Sequence, residues 1–503
     1  MPETKTFLQA FFILVTMSPM SAKTENKMGT PSENKMGTPS ENKMGTPSEN
    51  KMGWMPVNRL LVSISAPMMV SMLVQALYNI VDSIYVSRIN ENALTALSLV
   101  FPVQSLMIAF AAGLGVGFNS LLSRSLGAGD TRRVNQSATN GIFLEICAYI
   151  LFLIVGLALP EWFLGTQTSD PEIYAFGVQY MRIVCCASIG IYIQMTFERI
   201  LQATGKTLYT MFTQSLGAII NLIMDPILIF GLLGFPAMGV AGAAIATIFG
   251  QIVAGSIAIW LNIHKNPEVT ISFRGFKPDG DVIKMIMAVG LPSIVMQAIG
   301  SIMTYGMNRI LITFSSTATA VFGVYFKLNS FIFMPVFGLN NGLVPIIAYN
   351  YGAQKKERID QAMRYAWIYA IGLMTIGFII FQFCSGFLLR TLFAASDYMV
   401  EIGVPALRII SISFPFAGYC IVCGSMFQAL GDGIFSLISS VMRQLVVLLP
   451  ATYLLSLTGV LNNVWLSFVI AEVMSVIVST FFLYMAYKKR LNPIAGKDKA
   501  QPT

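Results

Sequence analysis

GLGVGFNSLLSRSLGAGDTRRVNQ, residues 113–136, aligns without a gap to GLNNGLVPIIAYNYGAQKKERIDQ, residues 338–361. Gly113/Gly338, Gly117/Gly342, Gly127/Gly352, Arg133/Arg358 and Gln136/Gln361 coincide at an offset of 225 (338 − 113). Pro67 and Pro292 share that offset. Arg182/Arg408, Gln202/Gln428 and Gly205/Gly431 follow at 226 (408 − 182). Agreement spread over this much of the chain marks an internal duplication, so the fold is two copies of one unit.

Composition says what the unit is made of. Of 503 residues, 55% are hydrophobic and 11% charged, against roughly 25% charged in soluble domains. So little charge cannot cover a soluble surface of this size. Apolar stretches recur that are long enough to cross a ~30 Å hydrocarbon layer as helices. The spans predict helices near 59–84, 94–123, 135–159, 172–198, 208–232, 238–262, 281–313, 317–345, 360–390, 399–428, 435–458 and 463–488. Pro67, Pro102, Pro226, Pro292, Pro335, Pro345 and Pro415 lie inside them and predict kinks. The fold class is therefore all-α integral membrane, with twelve transmembrane helices in two pseudo-symmetric six-helix bundles around a central cavity. A unit with an even number of spans returns the chain to its starting side, which relates the copies by an axis along the membrane normal.

Loop charge sets the orientation. Arg124, Arg132 and Arg133 follow the second helix, and Arg199 and Lys206 the fourth. Lys265, Arg274, Lys277 and Lys284 mark the central loop, with His264 beside them. Lys355, Lys356, Arg358 and Arg364 follow the eighth helix, and Lys488, Lys489, Arg490, Lys497 and Lys499 close the chain. Opposite loops offer Arg88 and Arg390 among Glu161, Asp170 and Glu172. Positive residues mark the cytoplasmic side, so both termini are expected inside. The net charge of +8 thus reports topology, and no basic, aromatic-interleaved surface segment suggests nucleic acid.

The expected organisation is a disordered segment 1–53, a first bundle 54–262, a cytoplasmic linker 263–282, a second bundle 283–490 and a tail 491–503. Within 25–53 the octapeptide ENKMGTPS repeats without a burial pattern. Phe7–Val15 weakly resembles a signal peptide but is too short to span; translation from Met28, Met36 or Met44 is the alternative. Cys147, Cys185, Cys186, Cys384, Cys420 and Cys423 all lie in apolar spans. Cys420 and Cys423 form a C-x-x-C, but zinc needs further ligands and His264 is the single histidine. No disulfide framework is implied.

A charge at the bilayer centre costs about 2.5–3.5 kcal/mol on insertion scales, so each needs a partner or a task. Asp82 sits in YNIVDSIYVS and Asp225 in NLIMDPILIF. Their repeat mates are Met307 and Ala451, so the second copy lacks both acids. Asn79 precedes Asp82 by three residues and Asn221 precedes Asp225 by four, spacings that share a helical face. Two carboxyls and two amides suit a sodium site or a proton-carrying acid. Structural pairing near a membrane face is the competing reading. Glu145 and Glu472 suit packed interior positions. Lys327, in GVYFKLNSFIFMP, is placed either to line a cavity or to pair with an acid; Arg309 and Arg443 accompany it in the second copy. Arg182 and Arg408 recur in both copies, which implies a shared structural task. Gln75, Gln297, Lys327 and Arg309 are the candidate substrate-cavity residues.

YNIVDSIYVSRI (78–89), LQATGK (201–206), NLIMDPILIFG (221–231) and GVAGAAIATIFGQ (239–251), within the duplicated twelve-helix plan, resemble the multidrug and toxic compound extrusion (MATE) family. The branch is similar to the bacterial one typified by DinF and MepA, from about Lys51 to the last helix. The resemblance implies efflux of lipophilic, often cationic drugs in exchange for protons or sodium by alternating access. It places the cation site, a possible sodium site, at Asp82, Asn221 and Asp225, with Tyr180 and Thr247 as looser matches. Another branch carries an acid in the seventh helix; the position near Gly300 is not acidic here, and the tenth helix lacks the acid that branch carries there.

The expectation is therefore an efflux antiporter of the bacterial inner membrane, with no catalytic residues and no cofactor beyond a proton or sodium. Small-molecule drugs or toxic organic cations and membrane lipids are the expected partners, and a monomer is expected. The alternative is a flippase or exporter of lipid-linked or other anionic amphiphiles, which a cationic cavity around Lys327, Arg309 and Arg443 would favour. A membrane enzyme would need a polar catalytic constellation that the sequence does not supply.

Overall fold

The computed structural model describes residues 50–393 and 395–494. Of the expected N-terminal segment only 50–53 falls within this range, and the tail beyond 494 falls outside it. Helices appear at every expected position: α1 Val57–Ser87, α2 Glu91–Gly127, α3 Thr131–Ala158, α5 Thr207–Phe230, α6 Val240–Lys265, α7 Gly280–Leu311, α8 Ser316–Gly352 and α9 Lys356–Phe393, with α11 Gly433–Ser456 and α12 Leu461–Ile494. Two further spans are bent. α4 consists of Pro171–Cys186 and Ile189–Ala203 at 42°, and α10 of Asp397–Ser411 and Phe414–Leu430 at 45°. Among the described residues there is no strand.

The sequence writes its own boundaries. Side-chain oxygens of Asn90, Asp130, Asp170, Asp279, Ser315 and Ser396 cap α2, α3, α4, α7, α8 and α10 by accepting from first-turn backbone N–H groups. The two bent spans end on the repeat-related Gly205 and Gly431, both left-handed, with φ of 77° and 88°. An arginine anchors each first segment, but by different contacts. Arg182 pairs with the Glu161 carboxylate at 2.8 Å, and Arg408 Nε donates to the main-chain Gln382 O at 2.9 Å.

The bundles clasp one another at one end through the repeated glycines. A Cβ on Gly127 would lie 1.9 Å from Tyr349 O, and one on Gly352 would lie 1.9 Å from Arg124 O. Gly113 faces Ile294 and Gly338 faces Met69, again 225 apart (294 − 69). Gly117 faces Ile286 and Gly290, and Gly342 faces Ser65. The cores follow the same exchange. Val57, Leu60, Leu61 and Ile64 of α1 join the second bundle's core, while Val282 and Ile286 of α7 join the first bundle's. A Cβ built on Gly300 or Gly323 would instead meet nothing within 4 Å among the described residues, so these glycines take no part in the close contact.

Several charges read as loop residues belong to helices. Arg124 is in α2 and donates to Leu430 O at 3.0 Å across the bundle contact. Arg199 lies in α4, Lys284 in α7 and Arg364 in α9. His264 and Lys265 form the last turn of α6, where the imidazole stacks on Trp260 at 4.9 Å. The helices run past their apolar cores because those ends are packed or capped. Arg358 holds the incoming chain instead of solvent: its Nη2 donates to Met52 O and Met55 O at 3.1 and 2.7 Å.

Gly127→Ala and Gly352→Ala should each destabilise the purified protein by about 1–3 kcal/mol, and Gly300→Ala and Gly323→Ala should leave it unchanged or slightly stabilised. Denaturant unfolding in detergent compares the four.

Candidate functional site

Asp82 on α1 and Asp225 on α5 meet inside the first bundle, their carboxyls within hydrogen-bonding reach of one another. Asp225 is fully buried. One oxygen of each, Asp82 Oδ1 and Asp225 Oδ1, is buried without a hydrogen-bond partner among the described residues. Asn221, one turn before Asp225, orients its amide between two neighbours. Its nitrogen reaches Asp225 Oδ2 at 3.0 Å, and its oxygen accepts from Thr247 N at 3.0 Å. Thr247 Oγ1 lies 3.1 Å from the same amide. Tyr180, buried on the first segment of α4, stands beside both carboxyls and close to Gln104 of α2.

Two carboxylates in contact inside an apolar bundle repel, and the arrangement holds only with a proton or a cation between them. The surrounding donors are carboxyl, amide and hydroxyl oxygens, the set a hard cation prefers. Among the described residues no three His, Cys, Asp or Glu side chains gather as a metal site. The two orphaned carboxylate oxygens lie within this oxygen-rich cluster, whose chemistry fits a proton or sodium.

Five of the six residues expected at the coupling site are thus brought together: Asp82, Asn221, Asp225, Tyr180 and Thr247. Asn79 is not. It is exposed, and its backbone carbonyl accepts from Ser83 Oγ at 2.9 Å. Three residues of helix rotate it off the buried face that Asp82 occupies, so a shared sequence face did not become a shared site. Tyr78, which the sequence did not single out, completes the cluster in its place, beside Asp82, Tyr180 and Asp225. It lies one turn before Asp82 on α1, the spacing that could have found it.

Of the cavity candidates, Gln75 lines a pocket of about 70 Å³ within the first bundle, together with Tyr78, Asn221, Thr247 and Glu198. Gln297, Arg309 and Lys327 are exposed. Glu198 also escaped the sequence reading, because the fourth helix was ended there; α4 continues to Ala203 and buries it to 1% exposure. In the second bundle Arg443 Nη1 pairs with Glu472 Oε1 at 2.8 Å, both largely buried. Arg443 stands in a π-helical stretch of α11, Met442–Leu448. Cys420 and Cys423 are free, as are the other four cysteines.

Comparison with known proteins places this geometry. The MatE family model matches residues 67–227 and again 292–454, once in each copy. The multidrug export protein MepA of Staphylococcus haemolyticus is 26% identical over 426 residues, 84% of this chain and 92% of that protein. MepA of Staphylococcus aureus (strain MRSA252) is 25% identical over 86% of this chain and 94% of its own. Among solved structures, a MATE transporter in complex with MaL6 superposes with a TM-score of 0.83 at 28% identity, covering 90% of this chain and all (100%) of that one. A MOP superfamily transporter from Pyrococcus furiosus, described as having a binding pocket of reverse polarity, gives 0.82 at 28% over 88% of this chain and 100% of its own.

The Arg443–Glu472 pair makes a sharp stability test. Arg443→Met should cost about 3–5 kcal/mol by leaving Glu472 buried and unpaired, while the double replacement Arg443→Met with Glu472→Met should recover most of that loss. Unfolding midpoints of the three variants measure it.

Proposed function

The chain belongs to the MatE family, and on that premise we propose that it is a multidrug efflux antiporter, exporting lipophilic, often cationic compounds in exchange for protons or sodium by alternating access. It is a membrane transporter and not an enzyme. The observation that carries the antiport reading is the Asp82–Asp225 contact in the first bundle, with an orphaned oxygen on each carboxyl and no acid at Met307 or Ala451 in the second. The MepA proteins, named multidrug export proteins, supply the substrate class by similarity.

The proposed cycle uses the two ends of the molecule differently. The clasped end carries Arg132, Arg133, Arg274, Lys277, Lys355 and Lys356, which the positive-inside rule assigns to the cytoplasm. With that end closed, the cavity faces outward. A cation reaching the cluster from outside removes the repulsion between Asp82 and Asp225. The ion therefore has different affinities for different arrangements of α1 and α5, and that difference is the coupling. Asn221 and Thr247 hold the second carboxyl in register. Tyr78 and Tyr180 wall the pair with aromatic surface. The exchange takes place in the cytoplasmic membrane of a bacterium, with both termini inside and the chain a monomer, its organisation being a first bundle 54–262, a linker 263–282 and a second bundle 283–490.

Export of anionic amphiphiles is the second reading. Exposed Lys327 and Arg309 keep it open, but Arg443 leaves that set because Glu472 neutralises it.

Asp82→Asn and Asp225→Asn should each abolish drug resistance in a susceptible host while leaving membrane expression unchanged; normal resistance in both variants would sink the coupling assignment. A cysteine placed at Arg274 in a cysteine-free background should react with an impermeant maleimide only after the cells are opened, whereas one at Asp397 should react in intact cells. The reverse labelling would overturn the orientation.

A further inference from the structure

Glu198 is the buried carboxyl that the cation cluster does not use. It sits on the second segment of α4, 1% exposed. Its oxygens accept only from neutral groups: Gln194 Nε2 at 3.1 Å, Thr213 Oγ1 at 2.9 Å and Gln214 Nε2 at 2.7 Å. Among the described residues it has no salt-bridge partner. The pocket that it lines also reaches Asn221 and Thr247, so one continuous space joins Glu198 to the Asp82–Asp225 cluster.

The charges around it do not balance. Arg199, the next residue, interacts electrostatically with Glu198 and also with Glu145 of α3. Glu145 is 2% exposed, and neither of its oxygens has a partner. The Arg199 guanidinium itself is directed elsewhere, donating from Nη1 to Gln202 Oε1 at 3.0 Å and to Asn341 Oδ1 of the other bundle at 3.1 Å. Two buried carboxyls thus share one guanidinium. The other walls of the pocket, on α1, α5 and α6, contribute Gln75, Gln214 and Gln251, none of them charged.

The second bundle shows the alternative. Glu472 is the twelfth residue of its helix (472 − 461 + 1), as Gln251 is of α6 (251 − 240 + 1). Arg443 is the eleventh residue from the start of α11 (443 − 433 + 1), as Gly217 is of α5 (217 − 207 + 1). There the protein places its own guanidinium on its buried carboxylate at 2.8 Å. In the first bundle the corresponding position is a glycine, and the carboxyl at Glu198 faces a cavity.

We propose that the Glu198 pocket is a second monovalent-cation site of the first bundle, taking a proton or sodium ion that passes between it and the Asp82–Asp225 cluster, where the second bundle substitutes Arg443. This rests on the antiport reading and adds a station toward the clasped end of the molecule. Because Arg199 bridges from this layer to Asn341, the charge at Glu198 acts on the contact between the bundles.

Infrared difference spectra of the full chain in lipid test it, recorded on exchange of potassium for sodium and, separately, of alkaline for acid buffer. Two carboxyl signals are expected. Asp82→Asn with Asp225→Asn should remove one, and Glu198→Gln should remove the other while leaving the first. A Glu198 signal in the sodium arm assigns a sodium ion, and a signal confined to the acid arm assigns a proton. Gln214→Lys, which brings an ammonium to Glu198, should silence the second signal in both arms without altering the first. Spectra of Glu198→Gln and Gln214→Lys identical to those of the unmodified protein in both arms would overturn the proposal. A missing aspartate signal beside an intact Glu198 signal would instead overturn the cluster's role.

Discussion

Two carboxyl groups held against each other in an apolar bundle are the constraint on which the rest of this molecule turns. Asp82 and Asp225 cannot both stand there as bare anions, because repulsion and desolvation act together and the low local dielectric magnifies both. Asn221, itself held by Thr247, satisfies one oxygen of the pair, and among the described residues one oxygen on each acid is left without a partner. In the proposed antiport, the energy of this place depends on a small cation arriving from outside. The second bundle avoids the same problem by internal means, with Arg443 set on Glu472. On the proposed reading the first copy of the duplicated unit is the ion-responsive element, while the second neutralises its buried carboxylate internally.

The glycine clasp gives that response somewhere to go. Gly113, Gly117 and Gly127 of α2 and their mates in α8 bring backbones together at distances no side chain tolerates. Such contacts are all-or-none, because packed interfaces exchange between discrete arrangements and do not deform smoothly. α1 runs from this clasp, where Ser65 and Met69 meet the glycines of α8, on to Asp82, so the helix that carries the proposed cation ligand is also part of the contact between the bundles. Pro67 lies within the clasped stretch, between Ser65 and Met69.

Much of this was legible in the sequence. The duplication, the helices and the pairing of repeated glycines follow from an ungapped alignment and from hydropathy. The missing acids at Met307 and Ala451 point to the first copy as the place of the proposed site. What was not legible was rotation and reach. Asn79 shares a helical face with Asp82 on a helical wheel, yet is exposed. Tyr78 carries no charge to draw notice, yet lies in the cluster. Glu198 was concealed by its position at the apparent end of an apolar run, followed at once by Arg199. The helix continues past both residues because Arg199 finds Gln202 one turn on and Asn341 of the other bundle, and Glu198 finds Thr213 and Gln214 of α5; of these, the partners on other helices are ones no local pattern announces. The membrane assignment was robust because it depends on composition; the polar interior was not, because a few side chains decide it.

Dye movement in everted vesicles, with the pH and sodium gradients collapsed one at a time, measures cation coupling most directly. The account predicts that accumulation of a lipophilic cationic dye stops when one of the two gradients is removed and survives removal of the other. Accumulation that persists with both gradients collapsed would contradict it.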